Sequence, residues 1–159
     1  MDGIMVELIL WSDNADVSMN DLSQAIGIFP VECESIGETK YYGSSKKYER
    51  VVDTSSLLYS TGYIDTAEVE VATNKMVDVI EPKLSEMIDV INKYKLNAKF
   101  CIVVALSEKP IIALPSNFIQ IMAKMHADLE FDTYFDCFWK GKTFKPWRWF
   151  TAKRKRKQM

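Results

Sequence analysis

Runs of apolar residues predict most of the strands in this chain. Residues 4–11 are apolar except for Glu7, and residues 100–106 are apolar throughout. An uninterrupted apolar run of this length is typical of a strand that is buried on both faces. Residues 129–139 instead alternate between apolar and polar, which predicts a strand with one buried face. We also expect strands at 57–60, 67–71 and 111–114, and two weaker ones within 31–54.

Apolar residues spaced three or four positions apart predict three helices. The first begins after Ser18, which can cap it, and ends at Gly27. The second covers 74–94, with a kink at Pro82 or a start just before it, because proline removes a backbone hydrogen bond. The third follows Ser116 as its cap. The predicted buried residues are Met76, Ile80, Leu84, Met87, Ile88 and Ile91 in the second helix, and Phe118, Ile119, Met122 and Met125 in the third.

The order of these elements predicts the fold class. It is β-α-β-β-α-β-β-α-β, which indicates an α+β fold with helices packed on one face of a largely antiparallel sheet. A chain of 159 residues suits one domain. We interpret residues 1–139 as that domain and residues 140–159 as a basic, aromatic C-terminal tail.

Charge is distributed unevenly between these two parts. Residues 1–136 carry 11 Lys/Arg and all 22 Asp/Glu, whereas residues 137–159 carry nine Lys/Arg and no acid. The net charge of −2 therefore combines a body of −11 with a tail of +9. An acidic surface accelerates association with basic proteins. Our first hypothesis is a non-catalytic interaction module of the immunity or inhibitor type, whose acidic body binds an unidentified protein partner.

The tail supports a second hypothesis. Its candidate binding residues are Lys145, Trp147, Arg148, Trp149, Lys153, Arg154, Lys155, Arg156 and Lys157. Basic side chains pair with phosphates and aromatic rings stack on bases, so the alternative function is a nucleic-acid-associated or ribosome-associated protein that binds RNA or DNA through residues 140–159. An anionic membrane surface is a less favoured partner. The tail could also pack on the acidic body, anchored by Phe144 and by Trp147 or Trp149.

Acidic residues near the end of the body support a third hypothesis. Asp128, Glu130, Asp132 and Asp136 lie two or four positions apart and share one face of a predicted strand. Carboxylate oxygens suit Mg²⁺ or Ca²⁺, which would make the protein a metal-dependent enzyme. The simpler interpretation is a solvated edge strand, because same-face neighbours are about 7 Å apart and charges discourage edge pairing. We expect no cofactor.

The remaining polar residues form no recognisable catalytic motif. His126 is the only histidine, so a zinc site is not expected, and a position at a helix C-terminus suits its charge. Cys33, Cys101 and Cys137 are widely spaced and odd in number, which favours reduced thiols in a cytoplasmic protein. We expect neither a signal peptide nor a transmembrane segment.

Four segments of the chain together resemble one bacterial family. They are Leu22 with Ile26-Gly27-Ile28-Phe29-Pro30, the stretch Ser-Thr-Gly-Tyr-Ile-Asp-Thr at 60–66, Glu81-Pro82-Lys83-Leu84, and Leu114 with Phe118-Ile119 followed by Ala-Asp-Leu-Glu-Phe-Asp-Thr-Tyr at 127–134. Their order and spacing are similar to those of the domain-of-unknown-function family DUF4279. The resemblance implies an α+β fold and a bacterial or phage origin. It implies no activity or cofactor, and it does not include the segment from Lys140 onwards.

Overall fold

The computed structural model describes residues 3–46 and 48–135, which contain seven strands and four α-helices. The strands are β1 (Gly3–Ser12), β2 (Glu32–Glu34), β3 (Thr39–Tyr42), β4 (Tyr48–Val51), β5 (Ser55–Ser60), β6 (Asn97–Leu106) and β7 (Asp128–Phe135). The helices are α1 (Met19–Ile26), α2 (Val69–Ile80), α3 (Leu84–Tyr94) and α4 (Ser116–Lys124). The predicted α+β fold class is confirmed, and the predicted C-terminal tail lies outside the described residues.

Five of the strands form one sheet in the order β2-β5-β1-β6-β7. All neighbours pair antiparallel except β6 and β7, which are parallel, so the predicted largely antiparallel sheet is confirmed. Strand β6 lies between β1 and β7, and its residues Ile102 and Val104 are buried, as the apolar run at 100–106 predicts. Strands β3 and β4 form a separate hairpin.

The helices pack on one face of this sheet. Alternate residues of β1 point to that face, namely Ile4, Val6, Leu8 and Leu10, and they share one apolar core with residues of all four helices. The rings of Phe100 in β6 and Phe118 in α4 meet edge to face, with 5.0 Å between their centroids. Burial of these side chains holds the helix layer on the sheet.

Helix α1 begins and ends where its sequence predicts. The hydroxyl of Ser18 accepts a hydrogen bond from the Asp21 backbone N–H at 3.4 Å, which caps the first turn. Gly27 follows the last turn with a φ of 78°, a left-handed conformation that glycine adopts without a steric penalty.

The structure corrects the prediction for residues 67–94. The predicted strand at 67–71 is wrong, because α2 begins at Val69 and its buried residues continue the helical spacing from that point. Pro82 lies in a short 3-10 helix, Glu81–Lys83, which separates α2 from α3. Of the predicted buried residues, Leu84 and Ile88 are only half-buried. A stretch of five alternating residues fits either element, and packing on the sheet selects the helix.

Two further predictions need correction. Residues 111–114 are not a strand, since only Ile111 forms an isolated bridge, to Glu68, and prolines flank the stretch at 110 and 115. Helix α4 begins at Ser116 with Pro115 at its cap position, so the predicted serine cap is wrong. On this helix Ile119 is exposed and Ile121 is buried, which shifts the predicted face. Residues 31–54 contain three short strands where two were expected.

Candidate functional site

The second face of the sheet carries a cluster of acidic and aromatic side chains. We call it the helix-free face and define it by the side chains that point away from the helices: Met5, Glu7 and Ile9 of β1, Lys99, Cys101 and Val103 of β6, and Asp128, Glu130, Asp132 and Tyr134 of β7. Strand register aligns them in rows. Glu7 pairs with Cys101, and Cys101 pairs with Glu130. The row beside it contains Met5, Val103 and Asp132.

Glu7 lies at the centre of this face and is only 4% exposed. Burial raises the pKa of its carboxyl group from 4.5 to about 7, because the charged form loses hydration. The negative charges of Glu32 and Asp132 raise this pKa further, whereas Lys99 lowers it. Among residues 3–46 and 48–135, no ion pair to Glu7 is present. A substantial fraction of Glu7 is therefore protonated at neutral pH.

Lys99 is the cation of the helix-free face, and its ammonium group contacts a different carboxylate. Its Nζ lies 2.7 Å from Oε2 of Glu130, on the neighbouring strand β7. The two residues stand one row apart in the parallel register, so this pair crosses diagonally between β6 and β7. Lys99 thus neutralises Glu130 directly and acts on Glu7 only through space.

Two tyrosines cover the apolar part of this face. Tyr63 and Tyr134 pack against the small cluster of Met5, Cys101 and Val103. The hydroxyl of Tyr134 also donates a hydrogen bond to Oδ2 of Asp132. Burial raises the pKa of both tyrosines, and this hydrogen bond raises that of Tyr134 further. Both phenols therefore remain protonated and can donate hydrogen bonds at neutral pH.

The family model for DUF4279, described as a domain of unknown function, matches residues 2–136. The chain belongs to the DUF4279 family. No curated protein and no solved structure matches it. The family assignment confirms the resemblance seen in the sequence, and it brings no activity with it.

The thiols of this DUF4279 protein offer no activated nucleophile among the described residues. Cys101 is fully buried, and burial raises its pKa well above the ordinary value. Cys33 is half-buried, its pKa is also raised by burial, and its thiol donates to the amide oxygen of Asn20 at 3.4 Å. Nucleophilic cysteines need the opposite shift. Cys137 lies outside the described residues.

Acidic residues elsewhere on the DUF4279 sheet already have cationic partners. Glu34 of β2 is buried, and its carboxylate lies 3.0 Å from Nζ of Lys40 and 2.9 Å from a guanidinium nitrogen of Arg50. These two cations come from β3 and β4, so the ion pairs attach the hairpin to the sheet edge. Glu7 differs from Glu34 in having no such partner within the described part of the chain.

The predicted acidic strand face exists, but its described members form no metal site. Asp128, Glu130 and Asp132 lie on one face of β7, as expected. Residues 3–46 and 48–135 contain no group of three or more His, Cys, Asp or Glu residues that could hold a metal ion. Asp136, the fourth predicted ligand, lies outside the described residues, so the four-residue site stays a prediction.

His126 lies just beyond the C-terminal end of α4, after Met125, as expected from the sequence. It adopts a left-handed conformation with a φ of 49°, and its backbone N–H donates to the carbonyl of Ala123. A cavity of about 350 Å³ at the ends of α3 and α4 is lined by residues that include Lys95, His126 and Asp128. The described residues that line the cavity include no Ser, Thr or Cys beside His126.

The remaining predicted site residues of this DUF4279 protein lie outside the described residues. They are Lys145, Trp147, Arg148, Trp149, Lys153, Arg154, Lys155, Arg156 and Lys157, and their role stays a prediction. No helix in the described ranges is long and apolar enough to cross a membrane. Sequence reasoning missed Glu7, although it is the only polar residue in the apolar run at 4–11.

Proposed function

We propose that this DUF4279 protein is a non-catalytic interaction module of the immunity or inhibitor type, and that its helix-free face binds a basic segment of a protein partner. The observation that carries this proposal is the Glu7 carboxyl group, which is buried without an ion pair among the described residues. A buried carboxylate is costly unless a cation or hydrogen-bond donors accompany it. A lysine or arginine of the partner would supply that cation.

The surroundings of Glu7 suit such a side chain. Asp132 stands one row away and adds negative charge, and the hydroxyl oxygens of Tyr63 and Tyr134 can accept hydrogen bonds from an ammonium or guanidinium group. Bonds between a guanidinium or ammonium group and a carboxylate are among the strong hydrogen bonds in proteins. The half-buried rings of Tyr63 and Tyr134 would contact the methylene groups of the same residue.

The rest of the body favours association with a basic protein. Its formal charge of −11 produces a field that increases the rate of encounter with a positive surface. We include in the proposal a bacterial or phage origin and a cytoplasmic location. The two described cysteines, Cys33 and Cys101, are free thiols, which fits a reducing compartment.

Co-purification with matched variants tests this function. The face variant combines Glu130→Gln with Asp132→Asn, and the helix variant combines Asp78→Asn with Asp89→Asn on exposed positions of α2 and α3. Both variants remove two negative charges from the full-length chain. We expect the wild type and the helix variant to recover the same basic protein at low salt, and the face variant to recover much less. Equal recovery by both variants, or no protein partner for the wild type, would reject the proposal.

Binding of nucleic acid through the tail is the second candidate function. One observation favours it: residues 137–159 combine nine Lys/Arg with no acid. Replacing residues 153–157 by serine in the full-length chain should then weaken binding of a single-stranded RNA and reduce its salt dependence. Replacing the exposed Lys75 and Lys124 of the body should change neither. Unchanged RNA affinity after the tail replacement would exclude this function.

A further inference from the structure

We propose that the chain's own tail, residues 140–159, lies across the helix-free face in the absence of a partner. The tail would then occupy the surface that a basic partner needs, and the partner would have to displace it. That displacement rests on the proposed function, whereas the docking of the tail does not. The helix-free face is a sheet surface on which none of the four described helices packs.

The direction of the chain brings the tail to this face. Strand β7 is an edge strand of the sheet and ends at Phe135, opposite Leu106 of β6. The side chain of Tyr134, one residue earlier, belongs to the helix-free face. Only four residues separate Phe135 from the start of the tail, so the tail begins close to the edge of the surface.

The length of the tail is sufficient to cross the whole face. Twenty extended residues span up to about 66 Å. The helix-free face contains the three neighbouring strands β1, β6 and β7, and two spacings of about 4.8 Å give roughly 10 Å between β7 and β1. Gly141 lies near the start of the tail and permits the reversal of direction that this path needs.

The tail and the helix-free face are complementary in charge and in aromatic character. The tail carries nine Lys/Arg and no acid, whereas the ten residues that define the helix-free face include the buried Glu7, three acids that are more exposed, Asp128, Glu130 and Asp132, and one cation, Lys99. Four aromatic residues of the tail, Phe144, Trp147, Trp149 and Phe150, are matched by the half-buried rings of Tyr63 and Tyr134 on the face. Exposed charge pairs contribute little each, so the aromatic rings must provide most of the anchoring.

Zero-length cross-linking of the full-length protein tests the docking. A carbodiimide joins lysine amines to carboxylates that they contact, and mass spectrometry identifies the linked residues. An equal mixture of ¹⁴N- and ¹⁵N-labelled protein separates links within one chain from links between chains. We expect tail lysines to be linked to Asp128, Glu130 or Asp132 of the same chain at least fivefold more often than to Asp78, Glu81 or Asp89. Links mainly to those helix carboxylates, links mainly between chains, or no tail links would overturn the proposal.

A variant of the tail separates specific docking from general attraction between opposite charges. Trp147→Ala combined with Trp149→Ala keeps every lysine of the tail, so unspecific attraction would still produce the links. We expect the links to Glu130 and Asp132 to fall at least threefold, and unchanged links would overturn the anchored docking. Tail links to the helix-free face without any co-purified partner would reject the proposed function alone, whereas a partner bound by a chain without those links would reject the docking alone.

Discussion

The carboxyl group of Glu7 determines the chemistry of the helix-free face at the scale of single residues. It is buried between Met5 and Ile9 on an inner strand, and its neighbours Cys101 and Asp132 come from two other strands. A carboxylate in this position repels further negative charge and attracts a cation. It also makes the stability of the fold depend on pH near neutrality.

Replacing Glu7 should change stability at high pH and not at low pH. The folded protein holds a proton on Glu7 up to about pH 7, whereas the unfolded chain loses it near 4.5, so the folded state is destabilised as pH rises through this range. Glu7→Gln removes the charge, and we expect it to stabilise the protein at pH 8 by ~1–3 kcal/mol relative to the wild type, with little difference at pH 4.5. Urea unfolding at both pH values measures the effect. Exposed Glu70→Gln is the control, and a Glu7→Gln variant that is less stable than the wild type at pH 8 would contradict the assignment.

Glycine at position 3 is required by a close approach of two backbone segments. A Cβ atom there would collide with the carbonyl oxygen of Ile64, which a change of side-chain rotamer cannot relieve. We expect Gly3→Ala to destabilise the fold by about 2 kcal/mol or more. Gly37→Ala is the matched control, since its Cβ would meet no atom within 4 Å and only its left-handed φ of 89° opposes alanine. Thermal unfolding of both variants measures this, and a larger loss for Gly37→Ala would be inconsistent with the contact.

At the scale of elements, sequence pattern predicted the long and strongly periodic segments. Strands β1 and β6 are predicted by their long apolar runs, and helix α1 is predicted by its helical spacing between the caps Ser18 and Gly27. The start of α2 was missed because residues 67–71 fit both the two-residue alternation of a strand and the three-to-four-residue spacing of a helix. The helix-free face could not be assembled from sequence, because its rows depend on the register of β1, β6 and β7 and on the parallel pairing of the last two.

Helix α3 offers a quantitative test of which face it buries. Met87 is fully buried and Leu84 is half-buried, so the two side chains should differ in their contribution. We expect Met87→Ala to cost ~2–5 kcal/mol and Leu84→Ala about 1–2 kcal/mol. Exposed Ser85→Ala should cost less than about 0.5 kcal/mol. Urea unfolding of the three variants gives their free energies of unfolding. A larger decrease for Leu84→Ala than for Met87→Ala would show that α3 buries a different face from the one described.

At the scale of the whole molecule, the two faces of the described sheet differ in character. One face of the sheet is covered by four helices, and the other presents carboxylates and tyrosines around Glu7. The sequence predicted the net charge of each part of the chain, and it could not show where on the body the acidic residues converge. The family assignment adds no chemistry, so the proposed location of the partner site rests on this geometry.

The affinity of the purified complex tests the location of the binding site most directly. The dissociation constant of the co-purified partner should be measured for the full-length wild type, the face variant and the helix variant at one salt concentration. Because each variant removes two negative charges, the general field of the body changes equally in both. We predict at least tenfold weaker binding for the face variant and less than twofold for the helix variant. Equal weakening by the two variants, or a larger effect of the helix variant, would contradict binding at the helix-free face.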